Sequence, residues 1–282
     1  MSELTMRDTT ATLATARLKA QPRRGIPPWL RWGSWGPTLI TFVIAALLWQ
    51  VVAWTNPYVL PTLEAIGTSL VDDAGMYWSN FLVTLLEVVV GASAGILAGF
   101  LLAVIMAEFQ IIERAVMPLV IIVMVTPIVA IAPALVVAFG FGMVPKFIVT
   151  GLVVFFPMLV NSLAGLRDVD QKALDVFKTL HASRWEIFRE LRFPGSMPYV
   201  FAGLRIALPL AVVGAAVAEF VAAGQQAGLG SLVTTSAAQA NLAVTWASIA
   251  LLCLLGVLLI IVLALVRKRV LWWSDGEVTA KG

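Results

Sequence analysis

The chain has 282 residues, of which 60% are hydrophobic and only 12% charged, with a net charge of +3. Soluble domains carry about 25% charged residues, so this composition excludes an ordinary soluble protein and indicates a membrane protein. The Lys and Arg residues lie mainly in tails and loops beside apolar runs, which excludes a nucleic-acid-binding protein.

Residues 1–36 form a basic tail in front of the first apolar run. The start of a signal peptide has a similar charge, but this tail is too long, and the apolar run at residues 37–54 lacks a small-residue cleavage site. We therefore predict that residues 1–36 are a cytoplasmic tail. Residues 37–75 are predicted to form an uncleaved first membrane helix and an external loop.

Six apolar runs have the length of membrane helices, about 17 to 25 mostly apolar residues. They cover residues 37–54, 81–107, 116–139, 147–166, 200–221 and 244–266. The sequence therefore predicts an all-α membrane protein with six transmembrane helices.

The basic residues also predict how the helices are oriented. Both tails, the loop with Arg114 and the long loop at residues 167–192 are basic, whereas residues 55–80 and 222–243 contain no Lys or Arg. Because positive charge marks the cytoplasmic side, both termini are predicted to be cytoplasmic. Lys146 is the exception to this pattern.

Glycines recur at every fourth position of the second predicted helix, at Gly91, Gly95 and Gly99. A face of small residues lets a second helix approach closely inside a membrane. We predict a helix-packing seam, either within the chain or with another subunit. The alternative is chance spacing in a helix rich in Gly and Ala.

Prolines interrupt two of the later predicted helices. Pro127 and Pro133 lie in the third and Pro157 in the fourth, and each removes a helical N–H donor. Interrupted helices are tolerated in a bilayer where they are buried in protein or line a cavity. These prolines are therefore candidates for the translocation pathway, with a purely structural kink as the alternative.

Two carboxylates, Glu87 and Glu219, lie within predicted membrane helices. An acid is costly near hydrocarbon, so each should face protein or water and have a partner. One hypothesis places them at the solute cavity, where they would hydrogen-bond an NH-bearing heterocycle better than an anion. The alternative is that they bind only neighbouring helices.

The loop at residues 168–198 predicts two short amphipathic helices. Their apolar faces are Ala173, Leu174, Phe177 and Leu180 in the first helix, and Trp185, Ile187, Phe188 and Leu191 in the second. Pro194, Gly195 and Pro198 are predicted to end the second helix before the fifth span begins. Such helices lie in lipid headgroups or dock in a groove of another protein, and composition does not choose between these.

The same loop carries a spaced set of residues: Asp175, Val176, Phe177, His181, Leu191, Phe193 and Pro194. From residue 192 the chain reads R-F-P-G-S-M-P-Y-V-F-A-G-L-R-I-A-L. The pattern resembles the signature of type I ABC importer permeases, written E-A-A, three residues, G, nine residues, I, one residue, L-P. Here Asp175 replaces the glutamate, Phe177 the second alanine and His181 the glycine. If the turn requires a positive φ, His181 tolerates it less easily than glycine would.

The resemblance implies a type I ABC permease domain over residues 76–268 and a cytoplasmic C-terminal tail over residues 269–282. It implies that residues 175–183, which include Ala182 and Ser183 and are here named the coupling segment, dock in a groove of an ATPase. ATP and Mg²⁺ would bind to two partner ATPase subunits, and no cofactor to this chain. A second copy of the permease and an extracytoplasmic solute-binding protein would complete the importer.

Further strings, among them T-L-L-E-V-V-V-G, T-P-I-V-A-I-A-P-A-L and A-V-V-G-A-A-V-A-E-F, resemble the nitrate, sulfonate and taurine branch of these permeases. Within that branch they are most similar to permeases for thiamine-precursor pyrimidines and riboflavin. The resemblance thus implies import of a small solute of that kind.

Other classes of function are disfavoured by the sequence. The chain has no phosphate loop and no H-E-x-x-H motif, and its one histidine and one cysteine exclude a His- or Cys-rich metal site and an internal disulfide. The main alternative is an ion-coupled secondary carrier, which would usually show inverted repeats with broken helices in matching positions. A scaffold that transports nothing is a third class.

Overall fold

The computed structural model describes residues 32–221 and 227–272, and all regular structure in these residues is helical. The chain divides into two compact units, residues 1–60 and 61–282. The first unit contains α1, Trp32–Thr55. The second contains α2 Leu63–Asp72, α3 Ala74–Glu108, α4 Gln110–Val125, α5 Ile128–Phe139, α6 Met143–Arg167, α7 Gln171–Thr179, α8 Arg184–Ile187, a π-helix Phe188–Arg192, α9 Phe193–Val221, α10 Leu229–Ala238 and α11 Leu242–Val270.

Five helical stretches in the described residues are long and apolar enough to cross a membrane. They are Gly36–Thr55, Ala74–Glu108, Met143–Arg167, Arg184–Val221 and Leu242–Val270. The pair α4 and α5 meets the same criteria together but is bent by 97°. Counted as one span, this pair brings the number of spans to 6, as predicted. The predicted all-α membrane fold is confirmed.

In the second unit, the glycines of α3 face α6. A Cβ on Gly91 would lie 2.7 Å from the Cβ of Thr150, and one on Gly95 would overlap the backbone carbonyl of Gly151. Gly99 faces the α6 backbone one to two turns further on. Since there is no room for a side chain, the two backbones are in direct contact, as small residues allow in membrane helices.

α9 packs on the same core from another side. Gly203 lies against Asn161 and the carbonyl of Pro157, and Gly214 lies over Thr150. The core between α3, α6, α9 and α11 consists of small and medium-sized side chains, namely Val88, Ala92, Val154, Ala207, Ala211, Val212, Ala215 and Leu255. α6 is thus the central helix of this unit, contacted by both α3 and α9.

The predicted single helix over residues 116–139 is wrong. α4 ends at Val125 and α5 begins at Ile128, with Thr126 and Pro127 in extended conformations between them. Proline lacks an N–H and disfavours the helical conformation in the residue before it. Pro127 therefore breaks the span rather than merely kinking it, whereas Pro133 lies inside α5.

The predicted end of a helix at Pro194, Gly195 and Pro198 is also wrong. α8, the π-helix and α9 form one continuous helical stretch, Arg184–Val221. Pro194 therefore lies in the interior of this stretch, where its missing N–H removes one bond of the helical ladder. The wider π-turn of Phe188–Arg192 ends two residues before Pro194, and such π-bulges are found where the regular hydrogen-bond ladder of a helix is interrupted.

Two helices lie where the sequence predicted only external loops. α2 begins after Thr62, whose hydroxyl accepts a hydrogen bond from the Ala65 N–H at 3.2 Å. α10 is a short apolar helix between α9 and α11. Both are shorter than a membrane span, so a search for long apolar runs does not detect them.

Candidate functional site

The coupling segment forms a tight turn between α7 and α8. The N–H of His181 donates to the carbonyl of Lys178, and the N–H of Ala182 donates to that of Phe177, both at 3.0 Å. These two bonds define a Schellman motif, in which the residue after the helix C-cap takes the left-handed conformation. His181 has a φ of 56°, so the turn does require the positive φ that glycine adopts most easily.

Each helix of this turn has its own N-terminal cap. The Asp170 carboxylate accepts from the Lys172 N–H at 2.9 Å. Ser183 and Glu186 form a capping box, in which the Ser183 N–H donates to the Glu186 carboxylate at 2.6 Å and the Glu186 N–H donates to the Ser183 hydroxyl at 3.3 Å. Caps on both sides satisfy N–H groups that would otherwise fray the short helices.

Glu108, the last residue of α3, holds α8 and the π-helix in place. Its two carboxylate oxygens accept from Arg184 and from Arg192, each at 3.2 Å. Aromatic contacts add to this anchor, because Phe193 packs edge-on against Phe100 of α3 with ring centroids 6.1 Å apart. The helical stretch that directly follows the coupling segment is therefore fixed to α3 by charge and by packing.

The surface formed by the coupling segment and the adjoining α8 is exposed and partly apolar. Val176 is 57% exposed, Leu180 73% and Trp185 66%, and α7 has no buried residue. Of the other predicted residues, Asp175, His181 and Ser183 are exposed, whereas Phe177, Ala182 and Pro194 are half-buried. A groove of about 340 Å³ lies beside Trp185, Glu108 and Leu166. Exposed apolar side chains on a capped, anchored turn form a surface suited to docking against another protein.

The two predicted membrane carboxylates are completely buried in the second unit. Glu87 accepts a hydrogen bond from the Lys146 ammonium at 2.8 Å, and both side chains are at most 1% exposed. This ion pair explains why a lysine stands in a region otherwise free of basic residues. Lys146 is the exception in the charge pattern of the sequence, but its pairing with Glu87 was not predicted, because the two residues lie 59 positions apart.

Glu219 joins α9 to the start of α10. Its carboxylate accepts from the Thr84 hydroxyl at 2.7 Å, from the Ser231 N–H at 3.1 Å and from the Gly230 N–H. Negative charge at a helix N-terminus is favourable, so Glu219 serves as an anchor for α10. Solute contact by Glu87 or Glu219 would require these helices to separate, and the assignment of both to the translocation pathway stays a prediction.

The three prolines assigned to the pathway lie in different surroundings. Pro127 and Pro133 are exposed, and Pro157 is half-buried within α6. The Asn161 amide donates to the Pro157 carbonyl at 2.7 Å. Their contact with solute also stays a prediction.

Comparison with known proteins gives consistent results. Residues 95–272 match the family described as binding-protein-dependent transport system inner membrane component. The formylaminopyrimidine transport permease protein ThiX of Halalkalibacterium halodurans is 34% identical over 225 residues, which cover 79% of this chain and 89% of that protein. A probable ABC transporter permease protein of Haemophilus influenzae is 32% identical, with 84% and 96% covered.

A riboflavin transport system permease protein, RibX of Chloroflexus aurantiacus, is 26% identical, with 84% of this chain and 89% of that protein covered. Among solved structures, an inward-facing conformation of the MetNI methionine ABC transporter superposes with a TM-score of 0.61 at 17% identity. That match covers 70% of this chain and 98% of the other, and it concerns the fold alone.

Proposed function

Because the chain belongs to the family of binding-protein-dependent transport system inner membrane components, as a type I ABC importer permease, we propose that it imports a small heterocyclic solute of the pyrimidine or flavin type. The chain is a multi-pass inner-membrane protein and the permease component of such an importer. Permeases of this kind work with ATPase subunits and a solute-binding protein. Transport, rather than catalysis, is its activity.

The coupling segment is the proposed contact with the ATPase. The observation that carries this proposal is its direct connection to a transmembrane helix, since Ser183, the last residue of the segment, is the N-cap of the 38-residue helical stretch Arg184–Val221. A helix of that length extends about 57 Å, more than the membrane thickness. A push on residues 175–183 would therefore move α9 as a rigid body and change the packing of α6 against it.

In this proposal, the ATPase subunits supply the energy for the movement of α9. Two ATPase subunits bind ATP and Mg²⁺ and close on each other, and each would move the coupling segment of one permease copy. Two copies of the chain would enclose the solute cavity, which opens alternately to either side of the membrane. No cofactor is assigned to this chain.

The class of solute rests on the relatives. ThiX, which is 34% identical and is matched over 89% of its length, is a formylaminopyrimidine transport permease protein. RibX, at 26% identity, is a riboflavin transport system permease protein. A taurine permease at 26% and an aliphatic sulfonate permease at 24% are also similar. We favour the heterocycles because the 34% match is to a pyrimidine permease.

Uptake by the reconstituted importer tests this proposal. The chain, its ATPase and its binding protein would be placed in proteoliposomes, and the uptake of labelled formylaminopyrimidine, riboflavin and taurine compared. We expect ATP-dependent uptake of one heterocycle that continues in the presence of an uncoupler. Uptake that continues without ATP and stops with an uncoupler would show an ion-coupled carrier, and uptake of taurine alone would overturn the proposed class of solute.

A further inference from the structure

Three ionisable side chains lie together in the interior of the second unit. Glu87 comes from α3, Lys146 from α6 and Glu219 from α9, and each is at most 1% exposed. Glu87 is paired with Lys146. Thr84, which lies one helical turn before Glu87 on α3, donates to the Glu219 carboxylate at 2.7 Å, so the carboxyl groups of Glu87 and Glu219 are neighbours.

The charges of this cluster do not balance if every group is ionised. Two carboxylates and one ammonium leave one negative charge, and a buried unpaired charge is strongly unfavourable. No other charged side chain is available among the described residues nearby: α5, α10 and the adjoining half of α11 contain none, and Glu64, Asp72 and Asp73 around α2 are exposed. The cluster lacks one positive charge.

The hydrogen bonds identify which carboxylate oxygen lacks a partner. Glu219 is satisfied as a carboxylate, because it accepts from Thr84, Gly230 and Ser231. Glu87 accepts from Lys146 through Oε1 only, and its Oε2 has no hydrogen-bond partner among the described residues. Two ionised carboxylates cannot bond to each other, since both only accept. A hydrogen on Glu87 Oε2 would give this atom a donor role toward Glu219.

We propose that Glu87 and Glu219 share one buried proton, carried on Glu87 Oε2, which makes their cluster with Lys146 electrically neutral. The site binds a proton from water, and no other bond is made or broken. Glu219 then keeps its bonds to the N-terminus of α10. The neutral cluster thereby joins α3, α6, α9 and α10, whose side chains or N–H groups all contribute to it.

A monovalent cation could supply the same charge, but the geometry favours a proton. The Lys146 ammonium already lies 2.8 Å from Glu87 Oε1, and a second cation on the same carboxylate would be repelled by it. A proton needs no coordination shell and completes the one hydrogen bond that is missing. The experiment below separates the two cases.

Infrared spectroscopy of the full-length protein in lipid nanodiscs tests the proposal. A protonated carboxylic acid has a carbonyl stretching band that an ionised carboxylate lacks, and the band shifts in heavy water. We expect wild-type protein at neutral pH to show this band and Glu87→Gln to lose it, because an amide accepts from Lys146 and donates to Glu219 without a proton. Glu64→Gln, which changes an exposed glutamate, should leave the band unchanged.

Lys146→Met provides a second measurement that depends on charge balance alone. Without the ammonium, a neutral cluster requires a second proton, so the band should grow to about twice its wild-type size. Absence of the band from wild-type protein would overturn the proposal and would indicate a cation or an uncompensated charge. A band that persists in Glu87→Gln, or failure of that variant to fold, would also overturn it.

Discussion

His181 shows how a single residue affects the geometry of the proposed contact. The two hydrogen bonds of the Schellman turn position it at a φ of 56°, and a residue with a Cβ pays about 1–2 kcal/mol for the left-handed conformation. The permease signature that the loop resembles has a glycine where this chain has His181. The Schellman turn forms although histidine is less favourable than glycine at this φ. The helix caps at Asp170 and Ser183 help to stabilise this conformation.

Substitution of His181 tests this interpretation. We expect His181→Gly to keep ATP-driven uptake at or above the wild-type rate, because glycine adopts a positive φ without strain. His181→Val should reduce uptake severalfold, since β-branched residues are genuine outliers at positive φ. Lys172→Val, placed in the helical part of α7 outside the coupling segment, is the control and should have little effect. Equal activity of all three variants would show that the turn geometry does not matter for coupling.

At the scale of elements, the contact between α3 and α6 determines the core. The two helices approach so closely at Gly95 and Gly151 that one added methyl group would overlap a backbone carbonyl. Backbone cannot move aside as a flexible side chain can, so the helices themselves would have to separate. Any separation also affects the Glu87–Lys146 pair, which joins the same two helices.

Gly95→Ala should therefore destabilise the protein. Overpacking of a tight core typically costs about 1–3 kcal/mol, and we expect a clear fall in the thermal unfolding temperature in nanodiscs. Gly75→Ala is a matched control in the same helix, because a Cβ there meets no atom within 4 Å, and it should be neutral or slightly stabilising. If both variants melted like wild type, the close approach of α3 and α6 would not be required.

The sequence allowed the helices to be predicted better than their breaks and contacts. Long apolar runs and a glycine repeat are local patterns, so the spans and the small face of α3 could be recognised. Two interruptions were misjudged, because Pro127 breaks its span whereas Pro194 is absorbed by a π-turn. Whether a proline ends a helix or is tolerated inside it depends on which neighbouring groups hydrogen-bond the backbone atoms that it leaves unpaired. A single sequence does not show these contacts.

The contacts of the candidate site were the least predictable part. Glu108 binds Arg184 and Arg192 across 76 and 84 residues, and Glu87 meets Lys146 across 59. Such pairs arise only when the helices pack. The isolated lysine in a region without other basic residues was the one local signal that a buried partner existed.

For the whole molecule, the proposed transport mechanism requires that force pass from an ATPase through the coupling segment into α9. Everything from Arg184 to Val221 is one helical stretch, and Glu108 ties its start to α3. Movement at the segment would therefore reach both helices that pack on α6. The segment must face the cytoplasm and contact the ATPase for this mechanism to operate.

Site-directed cross-linking from residue 176 tests that claim most directly. Val176 is exposed, so Val176→Cys can carry a photo-activated cross-linker once the native thiol is removed by Cys253→Ala. We expect the introduced thiol to react with membrane-impermeant reagents only from the cytoplasmic side, and the cross-linker to capture the ATPase subunit with a yield that changes on ATP binding. Labelling from the outer side, or no cross-link to the ATPase in an assembled and active importer, would contradict the account.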